Sequence, residues 1–163
     1  YETDHIYIQE LCDRLGVELI VRTVNTEVEE NSGKPACFVC SWNRRKALFE
    51  IAKEWGCMKL ALGHHRDDAV ESLLMSMMFN GTMASMPPKL AMFDGTFIYI
   101  TNAETTQYAA YRNFRKQKKL CPHERATNRD AVRRLLQEME TFSPHVRNNL
   151  FAAMKNIQQE YLP

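Results

Sequence analysis

Apolar residues recur at helical spacing along most of this chain. Ile6, Ile8, Leu11 and Leu15 form one such series, and Gly16 is placed to end it. The same periodicity, with caps and breakers at the ends, predicts five further helices. The predicted helices are, in chain order and with approximate bounds, 6–15, 42–55, 67–79, 104–114, 128–142 and 144–161.

Short runs of β-branched and aliphatic residues lie between the first helices. Residues 18–24 and 59–63 predict two buried strands, and residues 89–92 and 96–100 flank Asp94-Gly95, which favours a hairpin. Strands that alternate with helices at this spacing are typical of a parallel sheet. The expected fold class is therefore α/β, with a helical C-terminal tail.

Composition narrows the class of protein. The 163 residues fit one domain, and no apolar run reaches membrane-spanning length. A net charge of +1 means that any nucleic-acid binding must come from local patches. Five cysteines, an odd number, with no secretory leader, indicate a reduced, cytoplasmic protein rather than a disulfide framework.

The spacing Cys37-Phe38-Val39-Cys40 places two thiols near the predicted start of a helix. That position favours the thiolate, the form that binds metal, and Cys121 could close on the same site from a distance. An iron–sulfur cluster held by three cysteines is one interpretation. The alternatives are a zinc site completed by His123 or a redox pair. Cys12 and Cys57 are interpreted as core residues.

A second candidate site follows the strand at 59–63. The run Gly63-His64-His65-Arg66-Asp67-Asp68 lies where a strand ends and a helix begins, the edge at which open α/β sheets bind ligands. Gly63 allows close backbone approach, and the two aspartates could bind Mg²⁺ beside phosphates. The simpler interpretation is an aspartate that caps the helix. Replacing either aspartate is expected to reduce turnover with little loss of stability.

Two basic groups are candidates for phosphate contact. Arg44, Arg45 and Lys46 follow the cysteine pair directly. A second run, with Tyr111 and Phe114 interleaved, has the composition expected for RNA backbone contact and stacking. Its cations are Arg112, Arg115, Lys116, Lys118 and Lys119. Either group could instead be a solvated helix face.

Taken in order, these motifs resemble those of the tRNA 2-thiocytidine synthetase branch of the PP-loop ATPases. The resemblance rests on the cysteine pair with Arg44-Arg45, on residues 62–68, on Met86-Pro87-Pro88-Lys89-Leu90 and on Cys121. It implies a Rossmann-like adenine nucleotide α-hydrolase fold across 1–163. The family's Ser-Gly-Gly-x-Asp-Ser phosphate loop is then expected before Tyr1, and a second Cys-x-x-Cys, often found around the last ligand, is replaced by Cys121 alone.

The resemblance also implies a reaction and a set of roles. Members of this family use ATP and Mg²⁺ to adenylate a tRNA base carbonyl and replace its oxygen with sulfur, assisted by a 4Fe-4S cluster. Asp67, Asp68 and Arg44 are then assigned to catalysis, and Gly63, His64 and His65 to the nucleotide. The cluster ligands would be Cys37, Cys40 and Cys121. The RNA-binding residues would be Arg45, Lys89, Arg112, Arg115, Lys116, Lys118 and Lys119.

The expected partners are a tRNA substrate and a sulfur donor such as a cysteine desulfurase, with a homodimer as a further expectation and no membrane. Two other functions fit the residues. One is a PP-loop ATP pyrophosphatase that acts on a small molecule, and the other is a zinc-binding module that holds RNA through the basic run.

Overall fold

The computed structural model describes residues 3–25, 33, 36–87, 89–92, 95–99, 104–115 and 127–161. The chain divides into two compact units, of which the first comprises residues 1–58 and 113–125. Helix α1 spans His5–Leu15 and begins at Asp4, whose carboxylate accepts the Tyr7 N–H at 3.0 Å. It ends at Gly16, as predicted, and this glycine adopts the left-handed conformation (φ 64°).

Residues 17–25 lie wholly within the described part of the chain and form no strand, so the strand predicted at 18–24 is wrong. A strand is stabilised by a hydrogen-bonded neighbour, and the three described strands pair only with one another. Polar contacts with the next helix tether the segment instead. Arg22 donates to both carboxylate oxygens of Glu54, at 3.0 and 2.6 Å, and the Asn43 amide donates to the Asn25 carbonyl at 3.3 Å.

That next helix, α2, spans Ala36–Glu54 and begins six residues before the predicted bound of 42. The Cys-x-x-Cys spacing therefore lies inside its first two turns. Ala47 is the one buried residue of α2, and it defines the inward face of the helix.

The second unit comprises residues 59–112 and 126–163. Its elements are β1 (Lys59–Leu62), α3 (Arg66–Asn80), β2 (Lys89–Met92), β3 (Gly95–Tyr99), α4 (Glu104–Tyr111), α5 (Asn128–Phe142), α6 (Val146–Ala153) and a 3₁₀ turn (Gln159–Tyr161). The third tail helix was predicted to reach about 161 but ends at Ala153. Beyond it, the N–H groups of Lys155 and Asn156 bond to carbonyls only three residues back, which tightens the chain into turns.

The strands form one sheet in the order β1-β3-β2. Strand β1 runs parallel to β3, with Leu60 opposite Phe97, and β2 runs antiparallel to β3, with Leu90 also opposite Phe97. The predicted hairpin and α/β class are confirmed. Among the described residues the sheet contains a single parallel pair, so the larger Rossmann-like sheet stays a prediction.

The core of this unit lies between α3 and α5. Val70, Leu74, Val132 and Leu136 form it, and Met75, Leu150 and Phe151 pack against its edge. Thr127 and Asp130 form a reciprocal capping box at the start of α5. Within the described residues, no helix has the length and apolar character needed to cross a membrane.

Candidate functional site

The residues 63–68, here called the acid turn, connect the carboxyl end of β1 to the start of α3. Because β1 and β3 are parallel, the acid turn lies at the edge of the sheet where both strands end. Among the residues that the structure describes, nothing lies within 4 Å of the position that a Cβ on Gly63 would occupy, so none of them covers the backbone there. Placement at this edge agrees with the prediction.

Asp68 is committed to the start of the helix. Its Oδ2 accepts the His65 N–H at 2.9 Å, and the Asp68 N–H donates to His65 Nδ1 at 3.3 Å. This reciprocal pair is a capping box in which a histidine takes the N-cap position. The other oxygen, Oδ1, lies 3.7 Å from Nη1 of Arg129 on α5. The capping function considered from the sequence therefore belongs to His65 and Asp68 together.

Asp67 has a different environment from its neighbour. Its Oδ1 is buried and accepts no hydrogen bond from any described residue. Nη1 of Arg147 on α6 lies 4.0 Å from this oxygen, and the Nε–H of the same arginine donates to Glu140 Oε1 at 2.7 Å. A buried carboxylate oxygen without a donor retains its full capacity to bind a cation or a protonated group.

Glu71, one turn further along α3, was missed by the sequence analysis. It is 3% exposed, and its Oε1 accepts a hydrogen bond from Arg133 Nε at 2.8 Å. Arg129 lies 3.7 Å from its Oε2, so Arg129 bridges Glu71 and Asp68. The hydrogen bond to Glu71 raises the pKa of Arg133 above its ordinary value. The carboxylates of α3 are thus balanced by three arginines from α5 and α6.

Two features of the sequence could have revealed this network. Glu71 interrupts the apolar run Ala69-Val70 … Leu73-Leu74, which places a charge on the buried face of α3. Arg129 and Arg133 are four residues apart, so they share one face of α5. A buried charge requires a partner of opposite sign, and a pair of arginines at helical spacing supplies it.

Cys37 and Cys40 lie in the first two turns of α2, in the other unit. Cys37 is exposed, Cys40 is half-buried, and both thiols are free. The predicted third ligand, Cys121, lies outside the described residues, as does His123. Within the described part of the chain, no three metal-binding side chains come together. Cys57 is also exposed, so its interpretation as a core residue is wrong, and Cys12 is only half-buried.

The basic candidates are distributed over several elements. Arg44 and Arg45 are exposed on α2, and Lys89 is the first residue of β2. Arg112 follows α4, where its guanidinium lies 5.8 Å from the centre of the Tyr108 ring. Lys116, Lys118 and Lys119 lie outside the described residues.

Arg115 is partly neutralised within its own unit. Its Nη1 lies 3.0 Å from Asp4 Oδ2, and its guanidinium lies over the Tyr7 ring at 4.9 Å. The hydrogen bond from the Tyr7 N–H lowers the pKa of the Asp4 carboxyl below its ordinary value, and Arg115 lowers it further. Since this arginine already has an anionic partner, it is less available to phosphate than its position in the basic run implied.

The amino-acid sequence is similar to those of several known tRNA-modifying enzymes. The chain is 41% identical over 137 residues to a tRNA-cytidine(32) 2-sulfurtransferase from Verminephrobacter eiseniae and 40% identical over 146 residues to one from Sorangium cellulosum. These matches cover 80% and 85% of the chain but 43% and 51% of the relatives. A relative of the same name from Chromohalobacter salexigens is 35% identical over 98% of the chain and 60% of its own length. The chain thus spans about half the length of the curated relatives it matches. No family model matches it.

Among solved structures, the U34-tRNA thiolase NcsA from Methanococcus maripaludis, determined with its 4Fe-4S cluster, is similar in fold. The TM-score is 0.70 with 22% sequence identity, over 100% of this chain and 58% of that chain. At this identity the likeness establishes the fold alone, a helix-rich α/β arrangement.

Proposed function

Because this chain is a homologue of the tRNA-cytidine(32) 2-sulfurtransferases, we propose that it carries out ATP-dependent thiolation of a tRNA base, with adenylation of a base carbonyl followed by sulfur transfer. The observation that carries the proposal is the identity of 35–41% over most of the chain. The acid turn and the thiol pair supply side chains suited to the two halves of such a reaction.

The acid turn fits a nucleotide with its magnesium ion. Mg²⁺ is held in enzymes by one or two carboxylates together with phosphates and water, rather than by an all-protein cage. Asp67 offers a buried oxygen that accepts no hydrogen bond from the described residues, and none of these residues covers the backbone at Gly63. Bound ATP supplies AMP as the leaving group that makes a pyrimidine carbonyl reactive. In this proposal Asp67 binds the cation, and His65 with Asp68 fixes the turn that presents it.

The thiol pair fits an iron–sulfur cluster. Two free thiols in the first two turns of one helix can bind the same cluster, and Cys121 is proposed as the third ligand. A cluster with three protein ligands supplies one open iron for sulfide. Arg44 is proposed as a catalytic residue, and Arg45, Lys89, Arg112, Lys116, Lys118 and Lys119 are proposed to contact tRNA phosphates. Arg115 is the weaker candidate for phosphate contact, because Asp4 already pairs with it.

The decisive experiment is anaerobic purification of the full-length protein with iron and sulfide analysis. We expect iron and sulfide in the unmodified protein and loss of both in C37S, C40S and C121S. C57S provides the matched control, because Cys57 is an exposed thiol outside the proposed set. Thiolated cytidine in tRNA, measured by mass spectrometry of nucleosides, should follow the iron content.

Zinc in place of iron would favour the RNA-binding module over the enzyme. Stoichiometric iron in C37S or C40S would refute the assignment of ligands.

A further inference from the structure

Two aromatic rings stand on the exposed face of α2. Phe38 and Trp42 are four residues apart, their ring planes differ by 14°, and their centroids are 6.5 Å apart. They are 52% and 62% exposed, although aromatic side chains of this size usually bury most of their surface. Ala47, on the buried face, is nine residues beyond Phe38, about two and a half helical turns, which is the opposite side of the helix.

A cation lies on the same face as the rings. Arg45 is three residues beyond Trp42 and seven beyond Phe38, so all three share one stripe. Arg45 is exposed and, within the described part of the chain, makes no ion pair. By contrast, the ammonium of Lys46 lies 3.8 Å from Glu50. The stripe therefore presents two rings that are each about half exposed, followed by a cation that makes no ion pair within the described residues.

This combination matches unpaired nucleic acid better than a protein partner. Proteins that hold single strands combine aromatic platforms, on which bases stack, with cations that contact the backbone. A partner helix or strand would be recognised by an apolar groove with aliphatic neighbours, and an available arginine on the same stripe would then be buried without a partner.

We propose that Phe38, Trp42 and Arg45 form a stacking platform for an unpaired base of the RNA substrate, with Arg45 on an adjacent phosphate. By helical spacing the rings lie on a different side of α2 from Cys40, so we assign them to a base other than the one that reacts. The identity of the RNA as tRNA rests on the proposed function. The platform itself requires only an unpaired base.

The chain contains two tryptophans, which provides a direct probe with an internal control. Trp55 follows the end of α2 and is 50% exposed, similar to Trp42. In full-length W55F, an RNA hairpin with an unpaired loop should quench the emission of Trp42. In the reciprocal W42F, the emission of Trp55 should not change. A fully base-paired duplex should quench neither.

Affinity provides the second test. W42A should weaken hairpin binding by about tenfold, the order expected for one stacked base, while W42F retains most of the affinity. R45Q should flatten the salt dependence of binding by about one unit. Equal affinity of W42A and unmodified protein, or quenching of Trp55 instead of Trp42, would overturn the proposal.

The alternative to the platform is that another part of the full-length protein covers the two rings. Trp42 in RNA-free W55F would then be shielded from acrylamide and W42A would lower the Tm, and the platform would be refuted. The stacking platform and the proposed thiolation activity can be refuted independently of each other. Loop-dependent quenching without thiolation or iron would leave the platform standing, whereas normal thiolation by W42A with unchanged affinity would remove the platform alone.

Discussion

Replacement of the two adjacent aspartates of the acid turn should have different consequences: loss of Asp68 should mainly reduce stability, and loss of Asp67 should mainly reduce turnover. Asp68→Ala removes the acceptor for the His65 N–H at 2.9 Å, a loss of about 1 kcal/mol for a capping hydrogen bond. It also removes an ion pair with Arg129 at 3.7 Å, which contributes about 0.5 kcal/mol because Arg129 is 39% exposed. Asp68→Ala should therefore lower the free energy of unfolding by about 1.5 kcal/mol.

Asp67→Ala removes much less that stabilises the fold. Its Oδ1 accepts no hydrogen bond from the described residues, and the cation of Arg147 is 4.0 Å away, so we expect a loss of about 0.5 kcal/mol. Both residues lie in the first turn of α3, so the interaction with the helix dipole is lost in both variants and cancels in the comparison. The difference between the two variants should be about 1 kcal/mol, with Asp68→Ala the less stable.

Urea unfolding of the full-length protein measures the loss of stability in each variant. Release of AMP in the presence of tRNA measures the loss of turnover. Asp67→Ala should lose most turnover while remaining nearly as stable as the unmodified protein. Asp68→Ala should keep more turnover at temperatures where it is folded. Equal destabilisation by the two variants, or a larger loss of turnover in Asp68→Ala, would refute the division of roles between the aspartates.

Three further outcomes follow from the second unit. Leu136 is completely buried, so Leu136→Ala should lower the free energy of unfolding by about 3 kcal/mol in urea, and a loss below about 1 kcal/mol would contradict the core assignment. A double-mutant cycle of Glu71→Gln and Arg133→Gln should give a coupling of about 1–2 kcal/mol, whereas simple additivity would mean that their 2.8 Å hydrogen bond contributes little. Hydrogen bonds from the backbone and then the side chain of Thr127 lower the pKa of Asp130, so the stability they confer is present above the ordinary value of about 4 and lost as the pH falls through the lower folded-state value. Thr127→Val should raise the pKa of Asp130 toward the ordinary value in an NMR titration, and an unchanged pKa would exclude the hydroxyl as a cause.

Local signals in the sequence predicted the elements whose stability is local. Helix α5 was predicted at its observed bounds, because Thr127 and Asp130 form the capping box and the apolar positions of the helix keep their period. The hairpin followed in the same way from Asp94-Gly95 between two apolar runs. The acid turn could also be predicted from local sequence, because it is a short connection between β1 and α3.

The features that the sequence analysis missed depend on distant residues. Residues 18–24 have strand composition, but β propensity becomes a strand only where a neighbour supplies hydrogen bonds, and the described strands do not include that neighbour. The partner of Glu71 could not be identified from its own helix, because Arg133 lies 62 residues away in sequence.

The arginines that balance the acid turn have a consequence for the order of folding. The motif at 63–68 is synthesised well before Arg129, Arg133 and Arg147, and the core residues of α3 wait for the same late helices, since Val70 and Leu74 pack against Val132 and Leu136. The hydrophobic core and the charge balance of the acid turn are therefore completed together, when α5 and α6 dock on α3. A nascent chain that has not yet reached α5 carries the whole motif but none of the three arginines that α5 and α6 supply. Completion of the acid turn is thereby tied to completion of the fold, and a ribosome-bound or truncated intermediate presents three unbalanced carboxylates in place of a finished site.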